Sequence, residues 1–207
     1  MADGHTSIDD LPVRHERRLA PVSTSLLGMI LFIASEVMFF GALFGTYFTL
    51  RFAQPAWPPP GIPKLSLVDG IVMTVLLVSG SLTMQASLQA IRKGNQRGLV
   101  RYLTVTLAIG IIFLGVQTYD FLSLIGQGLT IRSGVYGSTY FTMMGFHGAH
   151  VVGGTLFVAM ILWRARQGQF SVRHHDTVEM GAYYWFFLDV VWLSLFATFY
   201  LFSGPIG

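Results

Sequence analysis

The sequence predicts an all-α integral membrane protein: a bundle of five transmembrane helices, amino terminus inside and carboxy terminus outside. Three observations carry this reading. Charged residues make up 11% of the chain, less than half the roughly 25% of globular proteins. Hydrophobic residues reach 53% and mean hydropathy is +0.59, so there are too few charges to coat a water-soluble body of 207 residues. Five apolar stretches each approach or exceed the roughly 20 residues that cross a bilayer.

The spans are expected at about 24–50, 67–91, 102–125, 140–163 and 178–202, within one membrane domain over 24–203. Breakers separate them. QPAWPPPGIPK (54–64) has five prolines, which cannot continue a helix. RKGNQRG (92–98) is polar, GQGLTIRSGVYGS (126–138) holds four glycines, and RARQGQFSVRHHD (164–176) is basic. The runs are continuously apolar and do not alternate, which favours helices over barrel strands. Residues 1–23 are polar and mixed in charge, without the apolar run of a signal peptide. They read as a cytoplasmic tail, and the first span is expected to remain in the mature protein.

Charge orients the bundle. With the amino terminus inside, the inner segments carry Arg14, Arg17, Arg18, Arg92, Lys93, Arg97, Arg101, Arg164, Arg166 and Arg173, and the outer ones only Arg51, Lys64 and Arg132. That division follows the positive-inside rule. The chain has no cysteine, which excludes disulfides, thiolate metal sites and covalent haem attachment. The net charge of +3 and pI near 9.4 do not indicate nucleic acid, because the basic residues form no polar face.

Ionisable groups inside a span cost a few kcal/mol each and ask for a reason. Glu36 lies about twelve residues into the first span, roughly 18 Å from the inner surface at 1.5 Å per residue, where a carboxyl can hold a proton. Asp189 sits at similar depth in the fifth span, and Asp120 near the outer end of the third. A structural role, hydrogen bonding to a neighbouring helix, is open for both aspartates. His147 and His150 stand at i and i+3 and so share a helical face. Histidines elsewhere (5, 15, 174, 175) are extramembrane. A haem or di-metal site within the chain is therefore disfavoured, and interhelical hydrogen bonding is the expected role of the pair. Gly28, Gly41 and Gly45 on the first span, with Gly145, Gly148, Gly153 and Gly154 on the fourth, permit close helix packing or the docking of another subunit. Trp57, Trp163 and Tyr200 fall at span ends as interfacial anchors. Trp185 and Trp192 flank Asp189 on one face of the fifth span.

Four strings occur in order: GMILFIASEVMFFGALFGTYF (28–48), WPPPGI (57–62), SGVYGSTYFTMMGFHGAHVVGG (133–154) and EMGAYYWFFLDVVWL (179–193). From Leu26 to Phe202 the chain resembles subunit III of the haem-copper cytochrome c oxidases. The resemblance implies a non-catalytic subunit beside catalytic subunit I and subunit II, with room for a larger respiratory supercomplex, in a bacterial plasma membrane. It implies no cofactor in this chain, haem and copper in partner subunits, bound phospholipid, and support of rapid proton uptake and of stability during turnover. Glu36 falls on the family carboxylate that reacts with carbodiimides, His147 and His150 on the paired family histidines, and Asp189 on the intramembrane aspartate. Arg164 falls on a basic position that contacts lipid phosphate in relatives. Glu36, His147 and Arg164 are thus the expected lipid contacts. His174 and His175 are expected to collect protons at the inner surface, since imidazole titrates close to neutrality.

Two departures accompany the resemblance. The larger family form has seven helices, of which the first two have no counterpart here, so its lipid cleft is expected to be partial or completed by another subunit. The family often writes YWHF where this chain has Tyr184, Trp185, Phe186 and Phe187. Two alternatives stay open at this point. A quinol oxidase carries a similar third subunit, but relatives of that branch tend to have Asp at the place of Glu36 and Thr-His-Gly where Phe146 begins the run. A free-standing proton-coupled transporter is opposed by the odd number of spans and the absence of repeat symmetry.

Overall fold

The computed structural model describes residues 24–202; the expected tail over 1–23, with Arg14, Arg17, Arg18, His5 and His15, lies outside the described residues. Five helices run as α1 (Thr24–Phe52), α2 (Leu67–Arg92), α3 (Gln96–Gly126), α4 (Gly134–Arg166) and α5 (Asp176–Phe196), the last closing in a π-helical turn, Ala197–Leu201. With that turn, each span holds 26 to 33 residues, enough to cross the roughly 30 Å hydrocarbon layer at 1.5 Å per residue.

Successive helices run antiparallel, and polar contacts at the two ends fix their order. Arg92 of α2 meets Glu179 of α5 at 3.2 Å, and Gln96 of α3 donates to the Ala165 carbonyl of α4. This end of the bundle also carries Lys93, Arg97, Arg101, Arg164 and Arg166, and is called the basic end below. At the opposite end Arg51 of α1 donates to the Phe202 carbonyl, and Trp57 packs on Tyr136 at 5.3 Å between ring centroids.

Helices α2 to α5 close a ring, α2 on α3, α3 on α4, α4 on α5 and α5 back on α2, while α1 lies against α5 and touches α4 lightly. Burial follows this arrangement. Only Phe40, Tyr47 and Arg51 of α1 are buried, against ten residues of α5. One fully buried layer is aromatic: Phe113 of α3, His147 of α4 and Trp192 of α5 pack with ring centroids 5.3 to 6.0 Å apart.

Helix α3 begins six residues before the expected Tyr102, and α4 six before Tyr140. Both starts are polar or glycine-bearing, and hydropathy does not register them. Asn95 caps α3, its Oδ1 accepting from Gly98 N at 2.9 Å, as short polar side chains do at helix starts. Gly94, with φ +72°, ends α2 and lets the chain reverse within residues 93–95. Trp57 is corrected from interfacial anchor to core residue: it is buried, and its indole donates to Tyr47 Oη at 3.0 Å. The proline-rich loop thus folds back over the bundle end. Trp163 stays exposed as an anchor should be.

Candidate functional site

One polar pair of the spans sits where α1, α4 and α5 meet. Glu36 of α1 and His150 of α4 face each other, Oε2 to Nε2 at 2.9 Å, with side chains 20% and 16% exposed. Glu36 is therefore largely covered at a helix seam, though not fully buried. The second nitrogen, Nδ1 of His150, lies 2.7 Å from the Phe146 carbonyl one turn back. A carbonyl only accepts, so Nδ1 carries hydrogen. One proton then bridges Nε2 and Glu36, and the pair is neutral as a unit whichever atom holds it. That is how a carboxyl and an imidazole share an apolar layer at modest cost. Phe39 and Phe40 flank the imidazole at 6.2 and 5.1 Å, and Tyr184 of α5 donates to the His150 carbonyl at 3.1 Å.

His147 goes elsewhere. One turn of α4 away, it is fully buried, Nε2 donating to the Leu188 carbonyl at 3.2 Å, with Nδ1 unpartnered. The two histidines share a sector of α4 yet serve different neighbours, His147 reaching α5 and His150 reaching α1. A lipid contact for His147 is thereby corrected: packed between Phe113 and Trp192, its ring does not reach the bundle surface.

Asp189 is buried beside Ser81 of α2, its Oδ1 without a hydrogen-bond partner. Asp120 is buried near the opposite end and accepts from Tyr140 of α4 at 2.9 Å. Glu36, Asp189 and Asp120 are thus three separate sites, each tied to a different helix pair. Among the described residues no three His, Asp or Glu side chains converge as metal ligands.

At the basic end Arg164 is half-buried, its Nε donating to Gln169 at 3.0 Å and its guanidinium lying 5.1 Å over the Phe170 ring. His174 is exposed at a tight turn with Ser171, whereas His175, just before α5, is partly covered. Only His174 of that pair offers its ring freely to water.

Sequence reasoning missed Gln117, Tyr140 and Tyr184. Gln117 is buried in α3 and donates to the Met144 carbonyl at 2.9 Å. A Cβ on Gly148 would meet its Oε1 at 2.7 Å, so that glycine makes room for the amide. An intramembrane glutamine opposite a glycine-rich helix is a readable signal for such a bond. Phe186, at the place of the family's histidine, is exposed. It lines an apolar groove of about 320 Å³ with Ile30, Ile33 and Val37 of α1 and Tyr183 and Val190 of α5.

The chain matches the family described as cytochrome c oxidase subunit III over residues 15–204. It is similar to a cytochrome c oxidase subunit 3 of Synechocystis sp., 40% identical over 177 residues that cover 85% of this chain and 75% of the relative. The subunit 3 of Corynebacterium diphtheriae is 38% identical over 177 residues, 84% of this chain and 86% of the relative. That of Prototheca wickerhamii is 38% identical over 191 residues, 89% and 72%. A five-helix membrane bundle whose sequence agrees at this level along most of its length belongs to the cytochrome c oxidase subunit III family.

Proposed function

We propose that the chain is the non-catalytic third subunit of a proton-pumping haem-copper oxidase that passes electrons from cytochrome c to dioxygen. The observation that carries this is the extended identity to proteins named cytochrome c oxidase subunit 3, over 84–89% of the chain in three relatives. Glu36 and the Phe146–His147–Gly148 run support cytochrome c over quinol as donor. In this reading the chain lies beside subunits I and II in a bacterial plasma membrane, basic end inward by the positive-inside rule. It holds phospholipid, and it keeps the catalytic subunit supplied with protons and intact during turnover. The apolar groove between α1 and α5 suits an acyl chain. The redox centres belong to the partner subunits.

The polar geometry supports an accessory role. From Glu36 the hydrogen bonds run to His150 and end on the Phe146 carbonyl. A run that ends on a backbone carbonyl holds a proton but does not relay one onward. Glu36→Gln is expected to leave haem content and initial oxygen consumption intact; loss of turnover from the first seconds in a normally assembled complex would refute this. The function as a whole is tested by stripping the subunit from the purified oxidase with detergent. The optical spectrum should be unchanged, while activity at alkaline pH falls and inactivation comes sooner. Loss of a haem or copper signal, or turnover as durable as that of the intact complex, would overturn the assignment.

A further inference from the structure

At the basic end a groove of about 430 Å³ runs between α3 and α4. Arg97, Val100 and Arg101 form its α3 wall, Ala165 and Arg166 its α4 wall. The Gln96 bond to the Ala165 carbonyl pins the two helix ends at a set distance. The three arginines are exposed, and among the described residues none has a carboxylate or carbonyl partner, unlike Arg92 on Glu179, Arg51 on Phe202 and Arg164 on Gln169. Arg97 and Arg101 stand one turn apart, about 6 Å along the axis, so the positive charge reaches from the water side toward the apolar span. Between the guanidinium groups the floor is apolar, formed by Val100 and Ala165.

From this geometry we infer that the α3–α4 groove binds the phosphate of an anionic phospholipid, held by Arg97, Arg101 and Arg166. Guanidinium forks match phosphate oxygens two at a time. The apolar floor and the position at a span end select a lipid over a soluble anion, because the glycerol and upper acyl carbons have somewhere to lie. Orienting the bundle requires only a number of basic charges near the span ends. It does not require three from two helices to converge on one groove with no partner of their own. Arg164, the residue expected to touch lipid, is already engaged by Gln169 and Phe170 and borders this groove only through the chain. The inference deepens the lipid-holding part of the proposed function and rests on it.

The test uses the intact oxidase complex in vesicles of phosphatidylcholine containing a minority of phosphatidylglycerol. A photoactivatable phosphatidylglycerol and its phosphatidylcholine counterpart are cross-linked in parallel, and the labelled peptides mapped. Phosphatidylglycerol should label peptides spanning 96–101 and 165–168 severalfold more than phosphatidylcholine. Excess inorganic phosphate should not displace it. Each of Arg97→Gln, Arg101→Gln and Arg166→Gln should weaken the labelling by roughly fivefold, and Arg164→Gln should not. Equal labelling by the two lipids, indifference to the three substitutions, or equal loss in Arg164→Gln would overturn the site. Displacement by phosphate would do the same, by showing a soluble-anion site. If a variant fails to assemble, the wild-type labelling pattern decides alone. Durability of turnover is read separately: lost lipid with unchanged durability leaves the site standing and removes the functional reading.

Discussion

Trp185→Ala is expected to cost the bundle about 3 kcal/mol, the low end of the range for removing a buried tryptophan, because lipid rather than water is the outer medium. Trp185 is 1% exposed on α5 and sits in a notch made by two glycines. A Cβ on Gly80 of α2 would meet its Nε1 at 2.8 Å, and one on Gly110 of α3 would meet its ring at 3.0 Å and Thr155 Oγ1 at 2.7 Å. The indole therefore joins α2, α3 and α5 at one point, and its loss leaves a cavity that rigid helices cannot close. The coupling is checked by a double-mutant cycle. Gly80→Val in the parent overpacks the notch and should destabilise by about 1–3 kcal/mol. In the Trp185→Ala background the same change fills the cavity and should stabilise. Detergent-induced unfolding followed by circular dichroism reads both. Additive effects of the two substitutions would show that the notch is not the seat of the energy.

His150→Leu is expected to destabilise by about 1–3 kcal/mol, the cost of leaving one partner of a desolvated hydrogen bond alone. Glu36 would keep its carboxyl at mid-span with its His150 contact gone. Glu36→Leu combined with His150→Leu replaces both partners by apolar groups of similar size and should recover most of the loss. The infrared carboxyl band gives a second readout. In His150→Leu it should move to the frequency of an isolated protonated acid, and in the double variant it should vanish. A double variant no better than the single, or a band unmoved in His150→Leu, would show that the imidazole does not satisfy Glu36.

Much of the architecture is legible in the sequence. In a bilayer every backbone polar group must be satisfied within the span, so length and apolarity alone specify helices, and the five spans followed. Polar helix ends were not legible, because Gln96–Arg101 and the stretch from Gly134 carry no hydropathy signal and are helical through the Asn95 cap and the burial of Tyr136. Glu36, His147 and His150 stand out in the sequence because a polar group inside an apolar span has a cost. Which partner each takes was not in the sequence: three residues of spacing sent one histidine to α5 and the other to α1.

The glycines mark the division most clearly. Gly28, Gly41 and Gly45 look like a packing face, yet a Cβ on any of them would meet nothing within 4 Å in this chain. Gly80 and Gly110 lie in unremarkable apolar runs and prove to be the two that seat Trp185. In water, the buried face of a helix is the apolar one, and sequence reveals it. In lipid the outside is as apolar as the inside, so hydropathy tells that a helix crosses the membrane but not which way it faces. Crossing was therefore determined by the sequence alone. Facing was decided by shape, through close contact between residues far apart in the chain, and that exists only in the tertiary structure.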